Sequence, residues 1–435
     1  MMRAMRLLVA ALLITVLLTG CVDAQSRTSE KPSDKPDIAA DQLSQEHGTE
    51  AEPGSESVSD KQPIDLGSKP EPDKKPGKTG SSDALWVAVG DIMMHMPQLP
   101  AYYNKTTKRY NFNPFFEKVK PILEQGDWSL ANLETPISTK DLGYSGYPRF
   151  NAPSELAEAL KYAGFNVVTN ANNHSLDRGA EGIKRTLQHL EKQGFTTKGT
   201  ARSKAEADKL TIVERQGIKM GLLAYTYGTN GIALPKGKPY SVALIDEKAI
   251  IRDIKRLREA GADFITVALH FGVEYQLTPN DTQKKLARKL IAAGADIIAG
   301  AHTHVVQPYE TVEVTEADGS VRRGLIIYSM GNFISNQRGD TKDCGVIFKV
   351  HIHKDHAANH TTIGDIEAVP TWVHRVKKNK ANHYQILPME QSLEKGHTKG
   401  LTAADYKEIK RNLSILTKRL QSMAIKPVAM NATES

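Results

Sequence analysis

Six apolar runs in this chain each stop at side chains able to bind a metal or move a proton. They cover residues 87–91, 129–134, 167–174, 265–270, 297–304 and 326–332. Each has the length and composition of a buried strand. Ligands in open α/β sheets gather beyond the carboxyl ends of strands, so the repeated ending predicts one shared site. Its contributors are Asp91, Asn132, Glu134, Asn173, His174, His270, His302, His304 and Asn332. Three imidazoles with carboxylate and amide oxygens suit Mn, Fe or Zn better than Ca. Two such ions about 3.5–4 Å apart activate a water and clamp an oxyanion. His174 stands beside Asn173 as a proton donor for a leaving group.

Taken singly, each cluster has an ordinary reading. His302-Thr303-His304 at a strand end would send both imidazoles to one face through the period-2 pleat, yet such pairs occur in many strands. Residues 170–174, Asn-Ala-Asn-Asn-His, could be a turn, because Asn tolerates left-handed backbone. A lone His270 could be a hydrogen-bonded core residue, and Asp91 must be paired or metal bound if buried. The chain has only two cysteines, Cys21 and Cys344, which excludes a thiolate zinc site. A second histidine group, His351, His353, His356 and His360, has no carboxylate set around it and is expected to be a solvated loop.

The front of the chain bounds location. Residues 1–21 carry Arg3 and Arg6, an apolar run over 7–18, then Leu18-Thr19-Gly20-Cys21. The run is short for a membrane span and reads as an export signal. Its last four residues resemble the lipobox of bacterial lipoproteins, which implies a diacylated Cys21 anchored in the cell membrane and an extracytoplasmic body. Two acyl chains hold stably where one does not. Cys344 is then without a disulfide partner. Residues 22–83 contain no Phe, Trp or Tyr and are rich in Pro, Ser and charge, so a disordered tether is expected. The net charge is +7; residues 1–21 contribute +2 and 22–83 contribute −6, leaving +11 on 84–435. That surplus favours anionic polymers, phosphate esters or lipid headgroups.

From residue 84 onward, strand-like runs alternate with helical periodicity over 115–123, 155–163, 182–190, 249–257 and 283–292, with Gly164, Gly194, Gly261 and Gly294 just past helix ends. The alternation predicts an α/β layered domain. A hairpin over 311–328, strands over 346–352 and 363–369, a helix over 403–424 and frayed last residues follow. No internal repeat and no basic-aromatic interleaving points to a nucleic-acid partner.

In chain order, Gly90-Asp91, Asn132-Leu133-Glu134, and the stretches NANNHSLDRG (170–179), LHFGVEY (269–275), GAHTHVVQP (300–308) and YSMGNFISNQR (328–338) resemble the CapA/PgsA family of capsule and poly-γ-glutamate biosynthesis proteins. The resemblance implies a fold like that of the calcineurin-like metallophosphoesterases: a four-layer mixed β-sandwich flanked by helices, over 84–345, with 346–435 completing or appended to it. It implies that Asp91 and His304 serve one metal, that Asn173, His270 and His302 serve another, and that Glu134 bridges them. It implies catalytic roles for His174 and Arg338, and a cleft lined by His95, Asn132, Tyr227, Asn230 and Asn332. One departure stands out. Where the phosphoesterases have Asp-x-His, Asp91 is followed by Ile92 and Met93, and the next histidine is His95, so the first metal is expected to lack a ligand and its occupancy is in question.

The function expected is therefore capsule or poly-γ-glutamate biosynthesis at the cell surface through a metal-dependent hydrolase or transferase site, in contact with a membrane synthase. Two alternatives stay open: a non-catalytic component that binds and guides an anionic polymer, and a phosphodiesterase unrelated to capsule. A solute-binding receptor would need two similar lobes, which six endings at one site do not suggest.

Overall fold

The computed structural model describes residues 80–394, 398–424 and 427–432. The export signal, Cys21 and all but the last residues of the expected tether lie outside them. Chain order runs β1 (Ser81–Ile92), β2 (Trp128–Leu133), α1 (Glu155–Tyr162), β3 (Val167–Thr169), α2 (Gly179–Lys192), β4 (Thr196–Lys198), β5 (Ile212–Arg215), β6 (Ile218–Thr226), α3 (Glu247–Glu259) and β7 (Phe264–His270). It continues through α4 (Asp281–Ala292), β8 (Ile297–Ala301), β9 (Tyr309–Thr315), β10 (Val321–Ile327), β11 (Asn332–Ile334), β12 (Cys344–Asp355), β13 (His360–Lys378), β14 (Ala381–Pro388), α5 (Ala403–Gln421) and β15 (Val428–Asn431).

Two mixed sheets carry the fold. The first has the order β14-β13-β12-β1-β2-β3-β4, with β11 also paired to β1; the second has the order β15-β9-β10-β8-β7-β6-β5. Strands β1, β2, β3 and β4 are mutually parallel, as are β6, β7, β8 and β10. Alternation along β1 shows how the layers form. Trp86 and Ala88 point between the sheets, where they meet Trp128, Leu130, Met220, Phe264, Ile297 and Ile327. Val87 and Val89 point outward and pack with Leu156 and Leu160 of α1. On the far side of the second sheet, Val267 and Ile298 pack with Ile254 of α3 and Leu290 of α4. The result is helix, sheet, sheet, helix: the expected four-layer mixed sandwich. Strands buried on both faces must be apolar throughout, which is why the runs read as continuous.

Several expected elements shift. Residues 115–123 do not form one helix, because Pro121 removes an amide and clashes with the preceding turn; a 3₁₀ turn at Asn113–Phe115 and a short helix at Lys120–Leu123 take its place. Order starts earlier than 84, since Ser81, Ser82 and Asp83 pair with Asp355, Lys354 and His353 through backbone atoms. The supposed histidine loop is largely strand: His351 and His353 project from the exposed face of β12. The chain end adds β15, parallel to β9.

The parallel strands of both sheets finish at one face, where Asp91 lies in register with Asn332 and Asn132, and His270 with Ala301. Close backbone crossing there demands glycine. A Cβ on Gly90 would lie 2.0 Å from the Gly331 carbonyl oxygen, and one on Gly300 would lie 2.1 Å from that of Tyr328. Overpacking against backbone costs about 1–3 kcal/mol. Gly300→Ala is accordingly expected to lower stability by about that amount in chemical denaturation, whereas Gly228→Ala, with open space around it, leaves the midpoint unchanged.

Candidate metal centre

Two ligand triads share one carboxylate. Asp91, Glu134 and His304 form the first, and Glu134, His270 and His302 the second, each with its ligand atoms within 4.8 Å of one another. All five side chains are buried. Asp91 and Glu134 arrive at the ends of adjacent parallel strands, His270 at the end of β7, and the remaining two histidines just beyond β8. His302 and His304 do not sit on a pleated strand as expected. The strand ends at Ala301, and both histidines have left-handed backbone, φ 102° and 58°. Non-glycine residues held there store strain that the surrounding structure must offset, a condition common at functional sites.

Amide side chains hold the cluster in register. The Asn132 amide lies 2.8 Å from Asp91 Oδ1 and 3.2 Å from His270 Nδ1. Asn173 Oδ1 lies 2.7 Å from His270 Nε2, and its amide donates to Asn230 Oδ1 at 3.1 Å. The Tyr227 ring lies tilted against His302 with ring centroids 4.5 Å apart, and its hydroxyl meets Asn230 at 3.4 Å. Asn132 thus braces ligands from beneath, while Tyr227 and Asn230 stand at the mouth.

Electrostatics test whether metal fits. Neither Glu134 oxygen accepts a hydrogen bond, although His270 Nε2 lies 3.3 Å from one and His304 Nδ1 lies 3.8 Å from the other. Burial, then the neighbouring Asp91, pushes the Glu134 carboxyl well above its usual range. Burial drives His270 well below its usual range and His302 down to about 3, so both rings are neutral donors. Among the described residues no Lys or Arg forms an ion pair with Asp91 or Glu134; their nearby basic side chains are imidazoles. Two buried carboxylates without a cation are costly. Neutral imidazoles, carboxylates and an amide oxygen fit a pair of divalent transition ions.

His174 is held in a fixed orientation by a carboxylate. Its Nδ1 lies 2.8 Å from Asp177 Oδ2, which also accepts the Phe150 amide at 2.7 Å. The carboxylate can only accept, so Nδ1 carries the hydrogen and Nε2 is left for chemistry. The Phe150 ring meets His174 and His95 edge-on, at 4.7 and 5.1 Å. Asp177 was not foreseen as functional. Its signal was the three-residue spacing after His174.

Three expected site residues have partners of their own. His95 is not in either triad; it accepts the Asn336 amide at Nδ1, 3.3 Å, and burial lowers its pKa to about 4. His304 and His174 stand near it. Arg338 turns to the Val373 carbonyl at 2.5 Å and to Asp343 at 3.4 Å, with its guanidinium over Tyr384. Asn332 is wholly buried and donates to the carbonyls of His304 and Lys342, bracing the His304 turn. Glu274, unremarked in the sequence, comes within 4.0 Å of His304 Nε2.

Residues 86–337 match the family described as bacterial capsule synthesis protein PGA_cap. The chain belongs to this family. It is 31% identical over 321 residues to the PGA biosynthesis protein CapA of Bacillus subtilis (strain 168), covering 71% of this chain and 78% of that protein. It is 29% identical over 268 residues to the capsule biosynthesis protein CapA of Bacillus anthracis, covering 60% and 62%. Similar solved structures include the Haemophilus influenzae NAD nucleotidase (TM-score 0.42, 13% identity, 82% of this chain and 65% of that one). Another is the calcineurin-like phosphoesterase YfkN of Bacillus subtilis (TM-score 0.41, 15% identity, 67% and 91%). Likeness at that level carries nothing about chemistry, which the family's own side chains must supply.

Glu134→Gln separates the metal reading from a merely structural cluster. The variant, stripped of metal, is expected to be at least as stable as the parent, since it removes a group whose ionised form is costly to bury without a cation. The parent should gain about 2.7 kcal/mol when Mn or Zn reaches a hundredfold excess over its Kd, and the variant much less. Equal metal-induced rises in Tm for both proteins would refute the assignment.

Proposed function

We propose that this family member is exported, anchored to the cell membrane through a lipidated Cys21, and acts in capsule or poly-γ-glutamate biosynthesis as a metal-dependent hydrolase or transferase. The observation that carries the enzymatic reading is the meeting of two triads at Glu134 beside the His174–Asp177 pair. The similarity to CapA proteins supports the process; Leu18-Thr19-Gly20-Cys21 supports the anchor.

Asp91, Glu134 and His304 would hold one ion, and Glu134, His270 and His302 the other, with the Asn173 amide oxygen at hand. Bound there, divalent transition ions supply Lewis-acid activation of water and stabilise a developing oxyanion. Asp177 fixes the His174 ring so that Nε2 exchanges a proton with the leaving group. Half-exposed Tyr227 and Tyr275 wall the entrance over His302 and His304, presenting ring faces to a substrate backbone and hydroxyls to its polar groups. The +11 body favours an anionic polymer, or a phosphoester, delivered by a membrane synthase.

A guiding role without turnover draws on the same charge and on the absence of His95 from the ligand set. One experiment parts the two. In the Mn-loaded full-length protein, His174→Ala should lower kcat toward a phosphodiester or polyglutamate by about 10²–10⁴ with ion content unchanged, and Asp177→Asn should lower it by a smaller factor. If the Mn-loaded parent turns over neither substrate and cells carrying His174→Ala build a normal capsule, the guiding role stands and the enzymatic one falls.

A further inference from the structure

Beyond the matched residues, β13 and β14 form a hairpin that rises past the first sheet on the side of the cluster. The register sets this direction. Trp372 pairs with Cys344, at the end of β12 nearest Gly331, and β13 then runs six residues further. Residues 371–385 hold Arg375, Lys377, Lys378 and Lys380 and no carboxylate. Residues 375 to 380 are all exposed. Among the described residues none of the four cations forms an ion pair, and Arg375 has only the Asn336 side chain, at 3.3 Å. The turn itself is basic. Asn379 and Lys380 have φ of 51° and 62°, the two-residue hairpin turn whose second position favours glycine, and a lysine occupies it.

A chain of contacts runs from this hairpin to His95, which stands near His304 and His174. Arg375 and Lys377 share a face with Tyr384, the cross-strand partner of Arg375. The Tyr384 hydroxyl donates to Asn336 Oδ1 at 2.6 Å, and the Asn336 amide donates to His95 Nδ1. Arg338 grips the root of β13 through the Val373 carbonyl, which gives the strand its fixed exit. At the hairpin's base lies a cavity of about 590 Å³ lined by Tyr103, His374, Val376, His383 and Lys399 among others. Aromatic faces, imidazoles and a lysine line it, and no carboxylate does.

We infer that the hairpin and this cavity form a docking track for a polycarboxylate chain, which holds an anionic polymer beside the cluster while one segment reaches it. The inference rests on the proposed function for the polymer's class but not on turnover. Four unpaired cations on one projecting ribbon form an electrostatic complement that a single small phosphoester does not require. A membrane surface would also attract cations, yet the Asn336–His95 connection leads inward to the site.

The test uses full-length protein and polyglutamate of defined length as the probe. In the triple variant Lys377→Glu, Lys378→Glu, Lys380→Glu, binding by fluorescence anisotropy is expected to weaken by about tenfold or more, with a flatter salt dependence. A control with the same net charge, Lys204→Glu, Lys248→Glu, Lys255→Glu, should bind within about twofold of the parent. Tm and metal-dependent cleavage of a small phosphodiester, if the parent shows any, stay unchanged in both. Equal losses in the two triple variants would reduce the effect to net charge and overturn the track. So would intact polymer binding with lost binding to phosphatidylglycerol vesicles. Failure of turnover in every protein, with the hairpin effect intact, would sink the enzymatic reading and leave the track standing.

Discussion

The Glu134 carboxylate, enclosed on all sides and accepting no hydrogen bond, is the constraint on which the rest of the site depends. Such a group stays ionised only where positive charge can be supplied, and among the described residues no lysine or arginine pairs with it. Instead the protein surrounds Glu134 with Asp91, neutral His270 and His302, and His304. Adding lysine or arginine would have satisfied the carboxylates and closed the site to ions. The fold therefore withholds internal cations there while leaving many on its surface.

Holding that arrangement requires rigid supports on both sheets. Parallel strands β1 and β2 deliver the two carboxylates side by side; β7 and β8 deliver the imidazoles from the opposite sheet. The inter-sheet core around Trp86, Trp128 and Phe264 sets the spacing between them. Glycines at 90 and 300 let the segment around Tyr328–Gly331 cross close above both strand ends. The left-handed backbone at His302 and His304 is locally unfavourable, and the dense packing beneath it, together with the Asn332 bonds to the turn, keeps it in place. Stability stored in the sandwich offsets strain stored at its rim.

Much of this was legible in residue order because strand ends announce themselves: a continuous apolar run is obliged to stop where polar side chains leave the core. The same runs alternating with amphipathic helices implied a layered α/β domain; the four layers came with the family resemblance. What the pattern could not carry was backbone geometry after the strand. A period-2 reading of His302 and His304 assumed pleat where there is a turn, and nothing in Thr303 marks the change. Arg338 was misplaced because a guanidinium near a site motif suggests anion binding, while its real partners, Val373 and Asp343, are set by a strand that pairs from later in the chain. Asn332 lay at a strand end like the true cluster residues but faces inward, a distinction only tertiary packing makes. Asp177 was readable in principle, since a carboxylate three residues after a histidine on a tight turn can reach back to it.

The strands after residue 337 are integral to the centre even though the family match ends there. β1, which carries Asp91, has β2 on one edge and β12 on the other, with nine register pairs to β12 from Ser81 to Val89. Val346, Phe348 and Val350 fill the inter-sheet core, and Leu416 and Leu420 of α5 pack into the same cluster. Without β12 the strand that carries Asp91 would present an open edge and a half-empty core, and an unpaired edge invites association with other chains. The matched segment thus supplies the clustered side chains, whereas the later strands hold the first of them, Asp91, at its depth in the core.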